Sequence, residues 1–320
     1  VGERDINDVV ITDVTLREYG QNVPASFLHV FTPQIRIEIA LKLVEAGFLN
    51  LEVLSFAHPR IAPAMDEASI KKIAEGIGRL ENVHLITLVP NLSGYRRFLN
   101  CDLGPGGYNH TLGIFFSAVE AHNLLNLGRS IKETVHEHGA ILRDAARGNI
   151  RVAAYISAAF GYRVHPEGEV LRPDDRELNA HIDMLLDRGA VTVTLSDLQG
   201  VAGEKETANL LERVVGARKR KIVERLGYHP HHVQGDRALA NSRVAYDIGI
   251  RRFDASMGGT GGCVTGAPGN QPTEGLLDLF ETMGVRTGID IEKVRKIGRF
   301  VEQELYSRIS LKKTASRSLS

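Results

Sequence analysis

From Val9 onward, short runs of β-branched and apolar residues alternate with longer amphipathic stretches. A brief apolar run suits a buried strand, and recurrence at about 3.6 residues suits a helix with one buried face, so the alternation reads as repeated strand–helix units. Strands are predicted over 9–14, 50–54, 84–89, 111–116, 151–157, 191–195, 225–229 and 251–255. Helices are predicted between them. The clearest covers 33–46, where Ile35, Ile37, Ile39, Leu41 and Leu43 precede a glycine stop at Gly47. Others fall at 67–77, 130–147, 174–188, 204–215, 236–248 and 273–283, with a short one at 92–99. Each strand is followed by a helix and no second glycine-rich dinucleotide half is visible, which favours a closed (β/α)8 TIM barrel over an open doubly wound sheet. The barrel is assigned to residues 1–288. Residues 289–320 form a C-terminal extension, a helix over 289–306 and then a mobile, serine- and base-rich tail.

Composition narrows the function classes. The 320 residues carry 39 Lys+Arg against 39 Asp+Glu, which removes the main electrostatic reason to expect a nucleic-acid or anionic-membrane partner. No apolar run approaches the ~18 residues of a membrane span. A chain of this size buries about three quarters of its unfolded surface without staples, so its two cysteines, Cys101 and Cys263, point to a reducing, cytoplasmic setting.

In such a barrel the chemistry sits where strands end. The first predicted strand runs out at Thr15-Leu16-Arg17-Glu18, a guanidinium beside a carboxylate. The seventh ends in His229-Pro230-His231, and alternation puts both imidazoles on one face, a spacing that suits a divalent metal. Pro230 lacks a ladder donor, so this pair must lie at the strand's very end. The eighth leads into a loop with six glycines in the twelve residues 258–269. Such a loop must bend freely or admit a ligand, and Cys263 in its middle is a candidate acid/base or nucleophile. Asn270 beyond it could offer a carbonyl oxygen to a metal. Glu52 and Asp197 are ionisable groups in or after apolar runs, and Tyr155 and Ser157 end the fifth strand. Phe115 and Phe116 read as plain core.

With these pieces in order, the sequence resembles the metal-dependent lyases and synthases of the superfamily whose barrel opens on an Asp-Arg-Glu-type first strand, the hydroxymethylglutaryl-CoA lyases above all. The resemblance runs from Val9 to Gly284. It rests on Arg17-Glu18 with Gln21-Asn22, Ser55-Phe56 with Pro59 and Met65, TLVPN at 87–91, His229-x-His231, Ala238-Leu239-Ala240-Asn241, Gly261-Gly262-Cys263, and Gly269-Asn270 with Thr273-Glu274. It implies a divalent metal held by Glu18, His229, His231 and Asn270. It further implies Arg17 as the catalytic arginine, Cys263 as the loop cysteine, Glu52 and Asp197 as acidic site residues, Gln21 as a site amide and Tyr155 as a barrel-mouth tyrosine. Oxygen and imidazole donors favour Mg²⁺ or Mn²⁺, and the two histidines admit Zn²⁺. Several positions depart from the family pattern. Glu18 stands where the lyases have Asp, His232 where Asp or Asn is common, one extra residue follows Gly235, 25–31 lengthens the first loop, and 263–270 is shortened.

The activity expected from the resemblance is cleavage of a small-molecule 3-hydroxyacyl-CoA to acetyl-CoA and a keto product, with Asp197 or a histidine taking the hydroxyl proton. The alternatives are the reverse, Claisen-type condensation of acetyl-CoA with a 2-oxo acid, as in isopropylmalate or citramalate synthases, and a non-catalytic metal-binding barrel. A homo-oligomer is compatible with the sequence.

Overall fold

The computed structural model describes residues 9–22, 31–56, 66–165, 167–232, 236–261, 269–301 and 303, with the backbone alone at 19–22. Eight parallel strands close on themselves: β1 Val10–Asp13, β2 Asn50–Ser55, β3 His84–Val89, β4 Thr111–Ser117, β5 Val152–Ser157, β6 Ala190–Asp197, β7 Leu226–Pro230 and β8 Arg252–Ala255. Closure is made by β8 on β1, with Val10 against Arg252 and Thr12 against Asp254. This is the (β/α)8 barrel that the pattern predicts.

Alternation along the strands sorts the side chains. Leu51, Val53, Leu112, Ile114, Ile156, Val193, Leu195, Leu226 and Phe253 are fully buried. They belong to one continuous apolar cluster with helix residues such as Ile39, Leu43, Ile73, Leu211 and Leu276. The alternate positions, among them Asn50, Glu52, Tyr155, His229 and Asp254, carry the polar groups. Thr12, Asn50 and His84 lie in register across β1, β2 and β3, so a polar row runs round the inside of the barrel.

Helix ends follow local chemistry. Pro33–Glu45 starts on Thr32, whose hydroxyl accepts the Ile35 N–H, with proline in the first turn. Ile131–Arg147 starts on a capping box of Ser130 and Glu133. Helix Ile291–Val301, part of the predicted extension, buries Val294, Ile297 and Val301. Its Lys293 Nζ donates to Glu45 O at 2.9 Å, which ties it to the first long helix. The tail expected at 307–320 lies outside the described residues.

Several elements differ from the sequence reading, the short helix Arg220–Val223 among them. Residues Thr15–Asn22 form a helix, so Arg17 and Glu18 sit in its first turn and not on a strand end. The cause is Asp13, whose carboxylate accepts the Thr15 N–H at 3.0 Å and the Thr15 hydroxyl at 2.9 Å, turning the chain as soon as β1 stops. A second unpredicted helix, Glu120–Leu127, exposes Leu124 and Leu125 and so lacks a clean amphipathic signature. A two-stranded hairpin pairs Tyr162–Arg163 with Val170–Leu171, segments too short to show a period.

Candidate active site

The first turn of helix Thr15–Asn22 and the middle of β2 bring three charges together. Arg17 Nε donates to Glu52 Oε2 at 2.6 Å, and Arg17 Nη1 donates to Glu18 Oε1. The side chains are 10%, 0% and 5% exposed for Arg17, Glu52 and Glu18, so these ion pairs are largely shielded from water. Burial opposes the Arg17 charge, but Glu18 and Glu52 beside it outweigh that and hold the guanidinium above its ordinary value. Burial pushes the Glu52 carboxyl above the usual carboxylate range, against the pull of Arg17. Glu52 Oε1 lacks a well-formed hydrogen bond among the described residues, and the Tyr155 hydroxyl is the polar neighbour of this carboxylate. Tyr155, across the lumen on β5, has its hydroxyl raised well above the ordinary value by burial and by the negative charge of Glu52 and Asp254.

The histidine pair lies at the end of β7. His229 Nδ1 is 3.0 Å from Asp254 Oδ2 on the neighbouring strand, which places the ring proton on Nδ1 and leaves Nε2 as a lone pair. That lone pair faces His231 Nε2 at 3.1 Å. Metal–nitrogen bonds of about 2.1 Å at right angles would set two such nitrogens about 3.0 Å apart, so the pair is spaced for a shared cation. Asn270 is brought alongside by backbone pairing of His231 with Asn270 and by the His232 N–H bonded to Gly269 O at 2.7 Å. Its amide nitrogen donates to Thr260 O at 2.9 Å, while Oδ1 is buried without a hydrogen-bond partner. An orphaned carbonyl oxygen beside two converging imidazole nitrogens fits a divalent cation.

Gly261 explains how Glu18 joins this corner. A Cβ on Gly261 would fall 2.5 Å from Glu18 Cβ, 2.9 Å from Asn270 Nδ2 and 3.0 Å from Glu18 Oε2. Glu18 and Asn270 therefore meet across a backbone that only glycine permits, at φ +96°. Among the described residues, no three His, Cys, Asp or Glu side chains stand at ligand spacing, and Glu18 Oε1 is engaged by Arg17. The Thr15 hydroxyl also accepts the Met257 N–H at 2.8 Å, linking the Arg17 helix to the start of the glycine loop.

Asp197 is placed differently from the groups that face the lumen. Its carboxylate accepts the Val201 and Ala202 N–H groups at 2.9 and 3.0 Å, holding the loop after β6. Burial raises it to about 6, with those two amides pulling the other way. Cys263 lies outside the described residues, as do Pro59, Met65 and the side chain of Gln21. Two site residues were not singled out from the sequence. Asp254, the partner of His229, shows itself only as one more acidic residue in an apolar run. Phe115, read as core, lines the lumen with Leu88, Ala153 and Tyr155. Its parity with Tyr155 was the available signal, since the two are in register on adjacent strands.

Fold and site together define a (β/α)8 barrel whose mouth sets a buried Arg–Glu couple near a converging histidine pair and a buried Asn270 amide. The HMGL-like family pattern matches residues 8–301, and the chain belongs to that family. It is 30% identical over 302 residues to the hydroxymethylglutaryl-CoA lyase YngG of Bacillus subtilis, spanning 93% of each chain. It is likewise 30% identical to the human mitochondrial hydroxymethylglutaryl-CoA lyase, covering 95% of this chain and 88% of that one. Among solved structures, an HMG-CoA lyase from Acinetobacter baumannii in complex with coenzyme A and 3-methylmalate superposes with a TM-score of 0.81 at 26% identity, covering 95% of this chain and 93% of that one. The carboxyl transferase domain of Rhizobium etli pyruvate carboxylase, at 17% identity and a TM-score of 0.65, shares the fold.

Proposed function

We propose that the protein is a divalent-metal-dependent carbon–carbon lyase that cleaves a 3-hydroxyacyl-CoA to acetyl-CoA and a keto product. The observation that carries this reading is the meeting of the shielded Arg17–Glu52 couple with the His229, His231 and Asn270 donors in one barrel mouth. Relatives named as HMG-CoA lyases, one of them solved with coenzyme A, support the substrate class. The cation, Mg²⁺ or Mn²⁺ with Zn²⁺ as the alternative, would be held by His229, His231, Asn270 and Glu18. When bound it supplies Lewis acidity that lowers the pKa of the substrate hydroxyl.

Cleavage removes the hydroxyl proton, breaks the bond between C3 and C2, and leaves the electron pair as a thioester enolate whose carbon must then gain a proton. Arg17 faces the lumen with its charge fixed by Glu18 and Glu52, and it stabilises the oxygen on which negative charge develops. In a site closed to water such a charge-assisted bond is worth far more than in bulk. Glu52, pushed upward by burial and with the Tyr155 hydroxyl beside it, can hold a proton on the carboxyl oxygen that Arg17 leaves free. This geometry moves proton acceptance from Asp197, committed to loop amides, toward Glu52 or a histidine. Cys263, on the glycine loop, is proposed to protonate the enolate carbon, and Gln21 and Tyr155 to contact the substrate. The cytoplasm is the compartment proposed, in keeping with the free thiol of Cys101.

A mass-spectrometric panel tests the reading. Metal-loaded protein is incubated with a series of 3-hydroxyacyl-CoA esters and, separately, with acetyl-CoA plus 2-oxo acids. Metal-dependent release of acetyl-CoA from the first set is expected. Turnover of the second set alone would make it a synthase, and no turnover of either would leave a silent barrel.

A further inference from the structure

We infer that Asp13 is a positioning residue for Arg17, because through the Thr15 hydroxyl it ties the turn that carries Arg17 and Glu18 to Met257, where the glycine loop begins. Its effect on turnover presupposes the lyase reading above, whereas the link itself stands on geometry. Asp13 ends β1 in register with Ala255, and the alternation that sends Thr12 to the lumen puts Asp13 on the outer side with Ile11 and Phe253. It is 1% exposed there. A carboxyl buried on the apolar side of a barrel ordinarily has a cation beside it. Among the described residues Asp13 has none. Burial raises it to about 7, with the negative charges of Glu274 and Glu52 adding to the rise and the two bonds from Thr15 opposing it. Such a charge weakens the fold, and what it supplies is hydrogen-bond polarity.

Both carboxylate oxygens accept, one from the Thr15 N–H at 3.0 Å and the other from the Thr15 hydroxyl at 2.9 Å. With its proton committed to Asp13, the Thr15 oxygen has only lone pairs left to offer, and it accepts the Met257 N–H at 2.8 Å. The bonds therefore run one way, from Met257 to Thr15 to Asp13, and an acceptor at position 13 sets their direction. Both ends bear on the site. Arg17 lies two residues beyond Thr15, and its pairs with Glu18 and Glu52 depend on where that turn sits. Met257 opens the short turn Met257–Gly259, after which Thr260 O accepts the Asn270 amide and Gly261 leaves room for Glu18. One carboxylate thus fixes two walls of the mouth, the arginine turn and the start of the loop that carries Cys263.

Asp13→Asn, Thr15→Val and Thr15→Ser in the metal-loaded protein separate this role from a structural one. Asparagine has one acceptor and one donor, so it meets one of the two Thr15 donors and sets an N–H against the other. Valine keeps the shape of threonine without its oxygen, and serine keeps the oxygen. With HMG-CoA as substrate, Asp13→Asn and Thr15→Val should each lose about tenfold or more in kcat with KM little changed, and Thr15→Ser should keep most of the wild-type rate. The thermal midpoint of Asp13→Asn above neutral pH should equal or exceed that of the wild type, because a buried charge without a counter-ion is gone. The link is read without turnover, by hydrogen exchange at the Met257 amide, which should quicken by about tenfold in Thr15→Val and stay slow in Thr15→Ser. Wild-type kcat in both Asp13→Asn and Thr15→Val, or unchanged Met257 exchange in Thr15→Val, overturns the assignment. So does a kcat loss that tracks a lower thermal midpoint and is not rescued by serine, since Asp13 would then be a helix cap only. If the wild type turns over no 3-hydroxyacyl-CoA, the lyase reading fails while the exchange measurement still decides the link. The valine and serine pair carries the test if Asp13→Asn folds poorly.

Discussion

Lowering the pH from 7 to 5 protonates every histidine in the unfolded chain, but His110, His122 and His138 in the folded barrel resist. They are 2%, 1% and 0% exposed. Burial depresses them to about 3, about 4 and about 4 respectively. A histidine held neutral in the fold contributes stability that is present above its unfolded pKa of about 6.5 and is lost as pH falls toward its folded value. Between pH 7 and 5 each of the three should cost roughly 2 kcal/mol, at about 1.4 kcal/mol for each tenfold in proton affinity. Asp13, raised by burial to about 7, and Asp197, raised to about 6, run the other way, because the folded chain then binds protons that the unfolded chain does not. Together they return about 3 to 4 kcal/mol over the same interval, and Glu52, also raised by burial, adds to that return, so the loss from the three histidines is offset in the protein as a whole. The decisive measurement is therefore a difference between variants. His122 has neither ring nitrogen bonded and stacks on Tyr162 at 4.7 Å between ring centroids. His122→Phe keeps the aromatic volume and removes the titration. Urea unfolding at the two pH values should show the variant losing about 2 kcal/mol less than wild type, and standing at least as stable at pH 7, where an orphaned polar group is deleted. Parallel pH dependences for the two proteins would refute the argument, because the folded His122 would then titrate as it does in the unfolded chain.

The candidate active site yields further expectations. His229→Ala and His231→Ala should each lower metal content in elemental analysis while leaving the circular dichroism intact; unchanged content in both would move the metal elsewhere. Arg17→Lys keeps a charge but loses the fork that spans Glu18 and Glu52, so kcat should fall by orders of magnitude with little change in KM, whereas a mainly KM effect would make Arg17 a substrate anchor. Gly261→Ala forces a methyl into Glu18 and Asn270 at positive φ, and should reduce both metal occupancy and turnover in the purified protein. Cys263→Ala should bind metal normally yet lose at least ~100-fold in kcat, the range usual for a general acid/base, and wild-type turnover would leave the loop a lid only.

The strands were legible because a barrel strand has helices outside and a lumen inside, so each carries an apolar run interrupted by polar residues. The elements that escaped notice were those whose formation depends on one contact or on very few residues. Helix Thr15–Asn22 begins because Asp13 captures Thr15, an event that two-residue spacing hardly signals against the pull of the preceding strand. The hairpin from Tyr162 to Leu171 is held by Gln199, which donates to Arg163 O and accepts the Arg163 N–H from 36 residues away. No periodicity within the hairpin could reveal that partner.

The site divides along the same line. His229 and His231 were readable as a pair because their spacing is the strand's own repeat, and a local rule decided it. What makes them useful is not local: Asp254 fixes the His229 tautomer from β8, and Asn270 arrives by pairing with His231 after the glycine loop. Arg17 and Glu52 lie 35 residues apart, and the parallel pairing of β2 on β1 sets them at 2.6 Å. Closure is enforced by the outward residues, since Phe253 and Ile11 face the helices in the same register that points Asp254 and Thr12 inward. A one-residue slip of β8 on β1 would turn Asp254 into the helix layer and bring Phe253 into the lumen, at a cost the apolar layer cannot bear. The packing that stabilises the barrel is therefore also what aims its chemistry, and the polar row inside survives because the layer outside permits only one register.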